Sequence, residues 1–222
     1  GIGALSRENL DDLLSYSSIG QVGFIMLPIG LFAAGVGVGT SAIAAALIYT
    51  LNHAVAKGML FLSSGAIKFS TGKDRLNELG GLMDRSNILA LSFLIGALSL
   101  IGIPPLLGFF GKMMIFQSSL ATLVTSIIAL GGGSLTVVYF SKAWNDTFWG
   151  EPAEFQKPKG FNLQLSMVAL LAAVIVILGV GVNPVVEAAQ NAAHATINTD
   201  AYIEAVLGSE TSVNHTVNGG AH

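Results

Sequence analysis

Long apolar runs separated by short polar stretches dominate the chain. A helix needs about 20 apolar residues to cross the roughly 30 Å hydrocarbon core, and five runs reach that length, at 17–38, 41–68, 87–119, 121–143 and 162–182. The third is too long for one simple crossing, and "IGIPPLLG" at 101–108 interrupts it. Two prolines remove backbone donors and clash with the preceding turn, so the pattern predicts two half-helices joined by a short extended segment. The expectation is an all-α polytopic membrane protein of about five transmembrane helices, the third broken at Pro104-Pro105. A cytoplasmic loop (1–16) would precede a transmembrane domain (17–182) and a polar tail (183–222). Within the spans, Gly35 and Gly39 have a small-xxx-small spacing, Gly131, Gly132 and Gly133 lie mid-span in the fourth, and both sets read as close helix packing. Pro28 is expected to kink the first span.

Composition agrees with this pattern. Hydrophobic residues make up 52% of the chain and charged ones 10%, with a mean hydropathy of +0.70, which excludes an ordinary soluble domain. A net charge of −3 without a basic cluster gives no reason to expect nucleic acid as a partner. With Cys 0, disulfides, thiolate metal sites and cysteine nucleophiles are excluded together, and redox compartment cannot be read. The chain opens at Gly1 directly into the polar "SRENLDD", with no visible signal peptide. The expectation is the C-terminal part of a longer polypeptide or the second product of a split gene. The last residues, "SETSVNHTVNGGAH", are polar and carry no structural expectation. Their Asn214-His215-Thr216 triplet has little weight as a glycosylation acceptor.

Charge predicts orientation. With five crossings, eight of the ten basic residues (Arg7, Lys68, Lys73, Arg75, Arg85, Lys142, Lys157 and Lys159) fall on one side, which the positive-inside rule assigns to the cytoplasm. The end of the chain, with Glu187, Asp200, Glu204 and Glu210 and no Lys or Arg after 183, then faces outward. The other two basic residues, Lys57 and Lys112, lie inside spans.

These two carry the candidate chemistry. Lys57 is more than roughly 15 Å from either end of its run at 1.5 Å per residue, too far to snorkel comfortably. At the bilayer centre it costs about 2.5–3.5 kcal/mol on insertion scales unless it faces a polar interior. His53 lies one turn away on the same face, with Tyr49 and Asn52 nearby. A buried lysine loads or releases a proton according to its surroundings, and a neutral histidine relays one. The alternative reading is a satisfied interior histidine beside a fixed counter-ion. Lys112 lies nearer the outer end of its half-helix, where snorkelling is the alternative reading, but it directly follows the proline break, where interrupted helices of transporters expose free carbonyls. No Asp or Glu lies within the five runs, so an acid is expected on a helix from a missing N-terminal part or a neighbouring subunit. Nucleophile–base sets and metal-ligand clusters are not evident, and His194, His215 and His222 are too dispersed for a metal site. No cofactor and no metal are expected.

Four ordered stretches, "LLSYSSIGQVGF" (13–24), "LNHAVAKGMLFLSSGAI" (51–67), "ELGGLMDR" (78–85) and "SLIGIPPLLGFFGKMMIF" (99–116), resemble the C-terminal half of the antiporter-like membrane subunits. That family is shared by Mrp-type multisubunit sodium/proton antiporters, respiratory complex I and membrane-bound hydrogenases. "FSKAWNDTFWGE" (140–151) is most similar to the D-type subunit of Mrp antiporters. The resemblance implies two inverted repeats, each with a broken helix, of which this chain holds most of the second. It implies that Lys57 is the central channel lysine, His53 its relay partner, and Lys112 the terminal lysine on the second broken helix. The family's essential glutamate–lysine pair lies in the first repeat. The implied function is a proton-translocating subunit of a multisubunit Na+/proton antiporter in the cytoplasmic cell membrane, with its tail outside. Implied partners are other membrane subunits, including the missing N-terminal half or its equivalent, together with lipid, protons and Na+. A redox-driven pump subunit and a non-transporting structural subunit are the alternatives.

Overall fold

A computed structural model of the chain describes residues 1–151, 154–198 and 203. Those residues are helical, with one isolated antiparallel bridge between Asn9 and Arg75. The helices are α1 (Ile2–Leu5), α2 (Leu10–Ala33), α3 (Ser41–Thr71), α4 (Asn87–Ile101), α5 (Leu107–Ser119), α6 (Leu123–Phe148), α7 (Phe161–Val180) and α8 (Val182–Ile197), with a 3-10 turn at Leu76–Glu78. Among them α2, α3, α6 and α7 are long and apolar enough to cross a membrane. By itself α4 has 15 residues, about 22 Å at 1.5 Å per residue.

α3 is the central element, packed against α2, α4, α5, α7 and α8. It runs without a proline through Gly58 and Gly65 to Thr71, where Gly72 takes a left-handed conformation (φ 70°) and returns its amide to the Lys68 carbonyl. Small alanines, Ala42, Ala44, Ala45 and Ala46, bury its first turns and let neighbours approach. The main core joins Met59, Leu60 and Ile67 of α3 to Leu13 and Leu14 of α2, Phe93 and Leu100 of α4, Phe140 and Phe148 of α6, and Val168 and Ile175 of α7.

The proline break forms where expected. α4 ends at Ile101 with Gly102 left-handed (φ 95°), and α5 restarts after an extended Leu106. α3 and α7 clamp this break. A Cβ on Gly179 of α7 would collide with the Pro105 carbonyl and come 2.6 Å from the Leu107 nitrogen; one on Gly108 would collide with the Ser99 carbonyl. Two of the family-like stretches also meet: the amides of Gly81 and Met83 donate to the carbonyls of Trp149 (3.1 Å) and Phe148 (3.3 Å).

Several boundaries differ from the sequence reading. The first long helix begins at Leu10, inside the stretch expected to be a loop, because Asp11 and Asp12 suit the positive end of a helix in its first turn. It stops at Ala33. Gly35, Gly37 and Gly39 then have φ of 70°, 76° and 63° with open space around them, so Gly35 and Gly39 shape a turn and do not pack two helices together. In the fourth span the packing reading holds for Gly132 and Gly133, where an added Cβ would lie 3.1 Å from the Phe24 ring and 3.2 Å from Phe116, while Gly131 faces open space. Pro28 lies buried within α2. The region read as a tail from 183 opens with α8, whose Val182, Val185, Val186, Ala189 and Ala193 pack on Ala44, Ile48 and Leu107; one apolar face among polar residues hides in a mean hydropathy. The readings of Asn214-His215-Thr216, His222, Asp200, Glu204 and Glu210 concern positions outside the described residues.

Candidate functional site

The α2–α3 seam holds Lys57. Leu14 and Ser17 of α2 lie three residues apart and so share a face, which meets the buried face of α3. There Lys57 Nζ donates to the Leu14 carbonyl at 2.8 Å and to Ser17 Oγ. The Phe140 ring of α6 lies 5.7 Å from the ammonium nitrogen, within range of a cation–π attraction. Lys57 is 5% exposed.

Lys112 is held by the broken helix. The last carbonyls of a helix have no intrahelical partner, and Lys112 Nζ, one turn into α5, donates to Leu100 O at 2.9 Å and Ile101 O at 3.2 Å. A cation at a helix C-terminus is also favoured by the helix dipole. The Phe24 ring lies 4.7 Å away, and Lys112 is 2% exposed. Neither lysine forms an ion pair with a carboxylate among the described residues, where Lys68 and Asp74 make the one ion pair. A cavity of about 310 Å³ opens beside Lys112, walled by Gly102, Phe109, Phe116 and Leu130 among others.

A buried polar chain leads from the Leu100 carbonyl beside Lys112 to Tyr139 and Thr136 of α6. Tyr49 Oη donates to Gln21 Oε1 and, at 3.2 Å, to the same Leu100 carbonyl that receives Lys112. Gln21 Nε2 donates to Tyr139 Oη at 2.6 Å and Thr136 Oγ1 at 3.2 Å. Nearer the break, Asn52 Oδ1 accepts from Ser99 Oγ at 2.6 Å, and Ser99 Oγ accepts from the Gly108 amide at 3.3 Å. Asn52 Nδ2 and His53 Nδ1 are buried without a hydrogen-bond partner.

Of the residues singled out from sequence, Lys57, Lys112, Tyr49 and Asn52 line this interior. His53 lies one turn from Lys57, partly exposed and outside the hydrogen-bonded chain. Gln21, Tyr139, Ser17 and Thr136 were not identified from sequence. A glutamine with serines in an apolar run was a signal that the sequence offered; Thr136 and Tyr139, in another such run, carried no comparable mark. Asp11, within α2, accepts from Ser64 Oγ of α3 at 2.5 Å, on the seam that holds Lys57.

Comparisons with known proteins agree with this architecture. The family described as NADH:quinone oxidoreductase/Mrp antiporter, TM, matches residues 1–138. The chain is 32% identical over 210 residues to the D-type Na(+)/H(+) antiporter subunit of Alkalihalophilus pseudofirmus, an alignment covering 93% of this chain and 41% of that protein. It is 31% identical over 169 residues to formate hydrogenlyase subunit 3 of Escherichia coli, covering 68% of this chain and 28% of the relative. Among solved structures, a chain of the Mrp complex from Dietzia sp. DQ12-45-1b superposes with a TM-score of 0.83 at 26% identity, over 93% of this chain and 46% of that one. The chain thus spans less than half the length of these relatives. With its apolar helices, its broken α4–α5 pair and this match across more than half its length, the chain is a multi-pass membrane protein that belongs to the NADH:quinone oxidoreductase/Mrp antiporter transmembrane family.

Proposed function

We propose that this chain is the proton-carrying C-terminal half of an Mrp-type Na+/H+ antiporter subunit, working beside other membrane subunits of a larger assembly. One observation carries the reading: two lysines buried in an apolar bundle, each resting on carbonyl or hydroxyl oxygens and neither paired with a carboxylate among the described residues. Such lysines sit in environments where charge is costly, so each is poised to give up or take a proton as neighbouring charge changes. Lys57 is the central carrier and Lys112 the terminal one. His53, with its unpartnered Nδ1 one turn from Lys57, relays protons between them together with water.

The acid that completes the axis comes from a segment or subunit beyond this chain. The broken α4–α5 pair serves as the fifth crossing, the basic loops face the cytoplasm, and α8 and the residues after it face outward. Similarity to the D-type antiporter protein supports Na+ as the exchanged cation. Similarity to formate hydrogenlyase subunit 3 supports a second reading, in which the same lysines serve a pump driven by electron transfer.

The test is sodium-dependent proton flux in vesicles carrying the native assembly, without an electron donor, for wild type, Lys57→Ala and Lys112→Ala at matched assembly. Flux that needs no donor and vanishes in both variants is the expected result. Flux that requires a donor moves the chain to the redox pump, and flux untouched by either substitution leaves the lysines structural.

A further inference from the structure

Pro104 and Pro105 carry no amide hydrogen. In a continued helix theirs are the amides that would meet the carbonyls of Leu100 and Ile101, four residues back, so the break frees two adjacent carbonyls. Nearby Leu98 O, by contrast, takes the amides of Gly102 at 2.9 Å and Ile103 at 3.0 Å. What the two freed oxygens hold is a cation, the Lys112 ammonium, at 2.9 and 3.2 Å, with the Phe24 ring 4.7 Å from it. They form the negative end of α4, and free carbonyls at an interrupted helix are groups that coordinate Na+ in transport proteins. The cavity of about 310 Å³ reaches Ile101, Gly102 and Lys112, with room for an ion and several waters at about 30 Å³ each. Lys57 is placed differently. Its carbonyl partner, Leu14 O, lies inside α2, where the helix itself supplies the Ser18 amide.

We propose that the carbonyls of Leu100 and Ile101 form a binding site for one Na+ ion, which there takes the place of the Lys112 ammonium, so that ion and ammonium occupy the same oxygens by turns. Both cannot be held at once, because like charges a few ångströms apart in a buried site repel strongly. An ion arriving through the cavity displaces the lysine side chain, which has the cavity to move into, and the ammonium returns when the ion leaves. Tyr49, whose hydroxyl donates to Leu100 O at 3.2 Å, keeps that carbonyl aimed at the site. Water in the cavity completes the coordination. With carbonyls and water alone the ion is held weakly, as an ion that must leave again requires. The inference rests on the reading of this chain as part of a Na+/H+ antiporter and gives the exchanged cation its place.

The test is sodium binding to the detergent-extracted full assembly, measured by equilibrium dialysis with radioactive Na+ as the probe, for wild type, Lys112→Met and Lys57→Met. Lys112→Met removes the competing ammonium and leaves both carbonyls. The Na+ concentration for half-saturation should then fall by about tenfold or more, the equivalent of one charged hydrogen bond that no longer competes. Lys57→Met removes the same charge from the same bundle and should leave that concentration at its wild-type value. A purely structural lysine gives no gain of binding when it is removed, so unchanged or weaker binding in Lys112→Met overturns the proposal, with water alone filling the oxygens. An equal gain in both variants also overturns it, since the loss of any buried positive charge would then suffice. Should Lys112→Met fail to assemble, Lys112→Leu replaces it with the same criteria. Sodium-dependent proton flux in vesicles carrying Lys57→Ala or Lys112→Ala separates the failures. Full flux in both overturns the functional reading itself, while flux lost in them without a gain of sodium binding in Lys112→Met overturns the site alone.

Discussion

Lys57 receives both of its oxygen partners from one turn of α2, so its position tolerates the loss of one more readily than the loss of both. Hydrogen bonds to charged groups contribute about 1.5–3 kcal/mol, and Ser17→Ala removes one while leaving the Leu14 carbonyl in place. The expected outcome is flux reduced by roughly tenfold or more with the assembly intact, read in the vesicle assay. Lys68 and Asp74 illustrate the opposite case, a 3.0 Å pair on an exposed surface. The hydrogen bond from Lys68, followed by its charge, holds the Asp74 carboxyl below its ordinary value. A lowered carboxyl contributes stability at neutral pH that is lost as pH falls through its folded value. For a pair this exposed the contribution is small. Asp74→Asn is therefore predicted to leave the yield of assembled complex at neutral pH unchanged, and a drop in yield would show that the loop is tied down by this pair after all. Both lysines stood out in the sequence because a charge within an apolar run is costly wherever the helix lies. Their partners did not, since a serine or a backbone carbonyl carries no comparable cost on a helix whose neighbours are unknown.

At the scale of elements, the broken helix was legible and the ends of its neighbours were not. Two adjacent prolines act on their own backbone, whatever surrounds them. The start of α2 at Leu10 instead of 17 depends on acids that favour a helix N-terminus while lowering hydropathy, and α8 depends on one face finding α3. The clamp on the break yields a prediction. A methyl on Gly108 or Gly179 meets backbone, and overpacking of this kind costs about 1–3 kcal/mol. Gly108→Ala and Gly179→Ala should each lower the temperature at which the detergent-extracted assembly loses integrity. Gly131→Ala, with open space at its Cβ, should not, and equal shifts in all three would remove the break as the cause.

For the whole molecule, orientation is the open quantity with the clearest handle. These 222 residues include Cys 0, so a single cysteine introduced among them is the one thiol they contribute. Lys159→Cys in the loop before α7 is predicted to react with a membrane-impermeant maleimide from the cytoplasmic side only, and Thr196→Cys near the end of α8 from the outer side only. Labelling of both from one side would reverse the assignment of crossings made from the basic residues.

By itself the sequence determined the membrane class, the central run that became α3, the break at Pro104-Pro105 and the two costly lysines. Each follows from local covalent or solvation properties that any tertiary context must respect: apolar length, a missing amide proton, the cost of a charge in hydrocarbon. Tertiary structure decided what those lysines touch. Lys57 reaches across 43 residues to Leu14, and Gln21 across 118 to Tyr139. Tertiary structure also left His53 Nδ1 buried without a hydrogen-bond partner. A hydrogen bond is short and directional, so its partner is chosen by how helices far apart in sequence turn their faces to one another, and residue type alone does not specify that rotation.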